Sequence, residues 1–239
     1  FPQGALMNDY LDILSAISEG NNRLSRIRGG YTGKKGGLAA RIEKLIEQNF
    51  IMKNGPVYYF TDKVFEFWLR CVYNKKRHSL LSNFQDRASM FRKEIENHIA
   101  SFISESKKDM PDRLKDLIGE FNNEILRIGE KSFRSARFDK MEIVSREDMI
   151  GEFMIRASYG KDKFWAFLFS YNAIDEARMN ELASKLKSAY PAVQRKILIA
   201  FSGIDANSTL IAKENRIWVW GKEELNLLFS IYNRFKIQR

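Results

Sequence analysis

Residues 29 to 37 read Gly-Gly-Tyr-Thr-Gly-Lys-Lys-Gly-Gly, and this is where residue types and spacing first point to chemistry. The glycines leave backbone N–H groups unshielded, while Lys34, Lys35 and Thr32 set two cations and a hydroxyl beside them. Such a set of donors suits phosphate oxygens. It is not a nucleotide loop. A P-loop needs Gly-Lys-Ser/Thr at a fixed offset behind a hydrophobic strand, and neither is present. Arg41, Lys44 and Lys53 follow within twenty residues. Residues 1 to 80 hold 13 Lys+Arg and 7 Asp+Glu, so +6 of the total +10 sits in the first third. Concentrated positive charge of that kind favours a polyanionic partner. The expected roles are phosphate contacts by Lys34, Lys35, Arg41, Lys44 and Lys53 on double-stranded DNA. Thr32 or Arg41 is placed at base edges.

Other chemistries find little to work with. Cys71 is the single cysteine, so neither a disulfide framework nor a cysteine-rich zinc site can form. His78 and His98 stand 20 residues apart without a partner pattern for catalysis or zinc. No cofactor and no metal are expected. No apolar run reaches the roughly 18 residues a membrane span needs, and no signal peptide is evident. A cytoplasmic setting and no membrane partner are therefore expected. The sequence begins at Phe1 rather than Met, which suggests a piece of a longer chain whose preceding part could carry an activity.

These side chains need elements to hold them. Residues 8 to 19 place Tyr10, Leu11, Leu14, Ile17 and Ser18 on one helical face, with Gly20 as the stop. Arg23 to Ile27 forms a second short helix. A third runs from Leu38 to Gln48 with Leu38, Ile42, Leu45 and Ile46 inward. Phe50 to Met52 and Val57 to Phe60 then flank Lys53-Asn54-Gly55-Pro56, which predicts a hairpin around an Asn-Gly turn. Three helices and a hairpin form the winged helix-turn-helix plan, with the third helix as reader and the hairpin as wing. Residues 61 to 73 follow, with Phe65, Trp68, Leu69 and Val72 as a core stripe.

Residues 82 to 128 read as helical throughout, broken at Asp109 to Asp112. One stripe holds Ile95, Ile99, Phe102 and Ile103; another holds Leu114, Leu117, Ile118, Phe121 and Ile125. With 12 basic and 11 acidic residues over 81 to 140, this is a near-neutral connector, and its long helix could support a homodimer. Strands are predicted at 137–144, 153–158 and 164–171, then a helix at 173–190. Strands at 195–201 and 217–220 and a last helix at 222–232 complete the chain. The class is α+β. It comprises a winged-helix domain (1–73), a helical connector (74–130) and a mixed α/β sheet domain (131–239).

Tyr10 to Ile27, Gly37 to Ile51 and Tyr58 to Arg70 carry a resemblance, with Tyr58, Phe60, Asp62, Phe67 and Trp68 as its marker positions. These segments resemble the winged helix that follows the ATPase domain in a family of archaeal and bacterial AAA-type ATPases. The resemblance implies an ATPase domain before Phe1 and, at the other end, a fold similar to the PD-(D/E)xK restriction endonucleases. That fold binds Mg²⁺ with a carboxylate on one strand and an acid-x-Lys on the next. Glu142 or Asp139 falls at the first carboxylate. Phe169-Ser170-Tyr171 falls at the acid-x-Lys, and supplies neither acid nor lysine. Asp175 and Glu176 come next, at a helix start.

The expectation is therefore DNA binding without catalysis. The alternatives are an atypical Mg²⁺-dependent nuclease using Glu142 with Asp139 or Glu152, and a protein-interaction or dimerisation module.

Overall fold

The computed structural model describes residues 5–31, 36–75, 84–144, 153–161, 163–189 and 192–237. The chain is mixed α+β and divides into two compact units, Phe1–Lys107 and Lys108–Arg239. Among the described residues no helix is long and apolar enough to cross a membrane.

In the first unit, α1 (Ala5–Ser18), α2 (Leu24–Gly30) and α3 (Leu38–Glu47) precede a hairpin of β1 (Ile51–Asn54) and β2 (Val57–Phe60). The helices bury one stripe each, with Ile13, Leu14 and Ile17 meeting Ile27, Leu38, Ile42 and Leu45 over the hairpin's Ile51 and Phe60. Burying side chains of this size stabilises the unit by about 1.5–3 kcal/mol each relative to exposure. The hairpin pairs Asn54 with Val57, so the corner is Gly55-Pro56 rather than the predicted Asn-Gly. Gly55 takes φ +58, and proline's ring holds φ negative at the next position. A two-residue turn with glycine first and positive φ is of the II′ kind, whose twist matches the strands.

The connection between α1 and α2 also joins the hairpin. Arg23 forms an antiparallel bridge to Val57, and the Tyr58 amide donates to the Asn22 carbonyl at 2.8 Å. Beyond the hairpin, α4 (Lys63–Trp68) starts at Asp62, whose carboxylate accepts from the Val64 and Phe65 amides. A π-helical turn, Leu69–Tyr73, continues it. The predicted stripe is only partly the buried one. Leu69 is buried, but Trp68 stands 43% exposed while Glu66 and Cys71 turn inward. The wider π turn shifts which side chains share a face.

Helix α5 (Phe84–Lys107) ends the first unit. The second unit opens with α6 (Met110–Gly119), where Asp109 caps the Asp112 amide at 3.0 Å. Helix does not continue to residue 128 as predicted. Asn123 takes φ +55, and Ile125–Ile128 forms β3, paired to β4 (Lys131–Arg134). The sequence Glu124 to Ile128 alternates buried and exposed, which is a strand's period of two, and leaves Ile125 61% exposed. The division falls after Lys107, and this hairpin spans residue 130, where the connector and sheet domain were to meet.

The main sheet has the order β5 (Lys140–Val144), β6 (Phe153–Tyr159), β7 (Lys163–Ser170), β8 (Val193–Ala200), β9 (Ile217–Trp220). The first three strands are antiparallel, while β8 and β9 run parallel to β7. Helix α7 (Glu176–Ala189) links β7 to β8. A second link, α8 (Ala206–Glu214), joins β8 to β9 and is a helix outside the predicted elements. The last helix is α9 (Lys222–Ile231). One sheet face packs Met154, Phe164, Ala166, Leu168, Leu198 and Ala200 against Met179, Leu182, Leu186 and Ala212. The opposite face is aromatic: Phe138, Trp165, Phe167 and Trp220 meet edge-on or tilted, with Phe121 and Phe133 beside them. Covered on both faces, β7 reads as a near-continuous apolar run.

Candidate nucleic-acid interface

The basic side chains of the first unit are positioned by the helices whose other faces fill its core. In α2, the inward positions Leu24 and Ile27 leave Ser25, Arg26 and Arg28 exposed. The same inward spacing of Leu38, Ile42 and Leu45 in α3 turns Ala39, Ala40, Glu43, Lys44 and Glu47 outward. Lys44 is thus exposed as expected, but two carboxylates share its face. Gly37 stands before α3 with φ +90 and offers no side chain to cap the first-turn amides. Lys53 is exposed on β1, directly opposite Tyr58, and its Nζ lies 5.9 Å from that ring's centre. Thr32, Lys34 and Lys35 lie outside the described residues.

Arg41 behaves differently from the rest of the set. Its guanidinium lies 3.0 Å from the Asp9 carboxylate on α1 and donates to the Gly36 carbonyl at 3.2 Å. The side chain is only 15% exposed. It ties the start of α3 to α1. The ring of Tyr31 is buried nearby, and burial together with the Asp9 carboxylate raises its phenol above the ordinary pKa of 10.0. Arg26 and Arg28 escaped sequence reasoning. The signal was available, because a Leu24–Ile27 inward pair fixes the two arginines on the outer side.

The carboxylates considered for metal chemistry do not assemble. Glu142, on β5, is exposed and ion-paired with Lys140, which holds its carboxyl below the usual range, with a smaller contribution from Arg156. Arg156 is its cross-strand partner on β6. Asp139 instead brackets the β6–β7 turn: its amide donates to the Ser158 carbonyl and its Oδ2 accepts from the Gly160 amide at 2.9 Å. Phe169 and Ser170 are fully buried, and Tyr171 is 39% exposed, so no acid or lysine stands there. Asp175 caps α7 by accepting from the Arg178 amide, and Glu176 accepts from Asn207. Glu152 lies outside the described residues. Among those described, no group of three or more His, Cys, Asp or Glu side chains could hold a metal ion.

No protein-family model, no curated protein and no solved structure matches the chain.

Of the histidines, His78 lies outside the described residues. His98, on α5, stacks its ring 4.6 Å from Phe67, and its Nδ1 lies 3.1 Å from the Arg70 guanidinium. An arginine donates only, so Nδ1 is the acceptor and the imidazole is neutral. Burial, and then the Arg70 charge, push its pKa below the ordinary 6.5. It joins α5 to the α4 region.

Proposed function

We propose that the first unit is a winged helix that binds double-stranded DNA, and that the chain binds without cutting. The observation that carries this reading is the bridge of Arg23 to Val57. It adds a one-residue β-bridge, between the first two helices, to the hairpin that follows the third. Helix, strand, helix, helix and a two-stranded wing is the order of a winged helix, in which the third helix enters the major groove. Arg26, Arg28, Lys44 and Lys53 supply exposed charge on the described part of this unit. Lys34 and Lys35 belong to the same set by sequence. The five-stranded sheet, three antiparallel strands followed by a helix and a parallel strand, supports reading the second unit as a nuclease-like fold without the acid-x-Lys motif. In this reading the chain is the DNA-binding C-terminal part of a cytoplasmic AAA-type ATPase.

The test is a duplex-binding titration of the whole chain at several salt concentrations. Tight binding at low salt that weakens steeply as salt rises is expected, because neutralised phosphates release counterions. A chain that ignores duplex DNA at low salt would overturn the proposal.

A further inference from the structure

We infer that the second unit holds a binding site for an alkylammonium group, in a cavity between the tip of the β3–β4 hairpin and β9. The cavity has a volume of about 230 Å³, room for a small organic group rather than a drug-sized ligand. Phe133, Trp218 and Trp220 form its aromatic wall. The Phe133 ring centre lies 5.9 Å from that of Trp218 and 5.6 Å from that of Trp220, so Phe133 packs against both indoles at the edge of the cavity. Aromatic faces carry negative potential and attract diffuse cations. The chain already uses one of these rings in that way, with the Arg195 guanidinium 4.4 Å from the Trp218 ring centre.

The polar lining includes two carboxylates, while Arg127 donates to the Gly129 carbonyl at the same tip at 3.3 Å. Glu130 and Glu224 both line the cavity, against one exposed lysine, Lys131. Glu224 Oε2 accepts from the Gly221 amide at 2.9 Å, which fixes the carboxylate as part of a helix cap. Its other oxygen, Oε1, points to the hairpin tip, 3.8 Å from where a Cβ on Gly129 would stand. Among the described residues nothing donates a hydrogen bond to that oxygen. A carboxylate held in place by its own cap, with its other oxygen at the hairpin tip that lines the cavity, is preorganised for a cation. The reading does not depend on DNA binding.

Saturation-transfer NMR on the full chain, with tetramethylammonium as the probe and equal sodium chloride as control, tests it. Saturable transfer to the methyl protons is expected. Binding should weaken by about tenfold in Glu224→Gln, which removes the charge yet can keep the cap, and should vanish in Trp218→Ala. A trimethyl-lysine peptide in the second arm separates the sources. Tighter binding than the free ion assigns the site to a protein side chain, and equal binding assigns it to a small amine. Unsaturable transfer, or equal affinity in wild type and in a Glu224→Gln protein whose melting temperature is unchanged, overturns the inference.

Discussion

Arg41 on α3 and Asp9 on α1 form a 3.0 Å ion pair whose side chains are 15% and 20% exposed. Arg41 Nε is buried with no hydrogen-bond partner among the described residues, so Asp9 and the Gly36 carbonyl hold the charge between them. A guanidinium so enclosed orients α3 on α1, and the cationic residues beside it depend on that orientation.

Removing the carboxylate should therefore cost more than a surface pair would. Asp9→Ala is expected to destabilise the first unit by about 1–3 kcal/mol, because it strands a mostly desolvated charge. Replacing Arg41 and Asp9 together should cost less than the two single losses combined. Urea unfolding of the four proteins in a double-mutant cycle measures this, and strictly additive losses would count against a coupled clamp.

Charge on the outer faces of α2, α3 and the wing should register in salt dependence. Each of Arg26→Ala, Arg28→Ala, Lys44→Ala and Lys53→Ala that removes a phosphate contact should lower the slope of log K against log salt by about 0.9. Fluorescence anisotropy with a labelled duplex reads the slope directly. Lys131→Ala, in the other unit, serves as the control expected to leave it unchanged.

Nuclease activity is not expected. Supercoiled plasmid incubated with Mg²⁺ or Mn²⁺ should stay intact, because Glu142 is engaged by Lys140 and Asp139 is committed to the β6–β7 turn. A nick that disappears in Glu142→Ala would overturn binding without cutting.

His98 should make the docking of α5 pH-sensitive. Its pKa is lower in the folded chain than the ordinary 6.5, through burial first and Arg70 second. The unfolded chain therefore binds the proton more readily. The contribution of His98 is fully present above the unfolded value and is lost as pH falls below it toward the folded value. Urea midpoints at pH 7.5 and 5.5 should differ more in the wild type than in His98→Gln. Equal shifts in both proteins would show that other groups set the dependence.

Asn74 is the node that ties α1 to the end of the π turn. Its Oδ1 accepts from the Ser15 hydroxyl at 2.6 Å, and its Nδ2 donates to Glu19 at 2.8 Å. The residue is 3% exposed. Asn74→Ala leaves the Ser15 hydroxyl buried and unpaired and should cost about 2–3 kcal/mol, read by chemical denaturation.

Periodicity alone determined much of the first unit. Leu38, Ile42 and Leu45 in α3, and Val57 to Phe60 in β2, could take few other places, because burying an apolar stripe at a period of 3.6 or 2 requires those elements. The apolar runs at β7 and β8 declared buried strands for the same reason. Local signals were misread where a stronger pattern lay beside them. Ile125 sat at helical spacing from Phe121, yet the alternation through Ile128 made a strand. The α8 helix, with a weakly amphipathic sequence capped by Asp205, went unseen.

Only tertiary structure decided the fate of individual polar groups. Nothing local distinguishes Arg41 from Lys44, three residues on, but one lies against Asp9 from 32 residues earlier and the other faces outward. Asp139 and Glu142 look alike in sequence, and pairing of β5 with β6 gave one a turn to brace and set Arg156 across from the other. Phe133 and Trp218 meet around a cavity although 85 residues separate them. Sequence sets which side chains must leave water. Which charge meets which partner is a property of the packed chain, because an ion pair or an aromatic wall exists only at distances of a few ångströms.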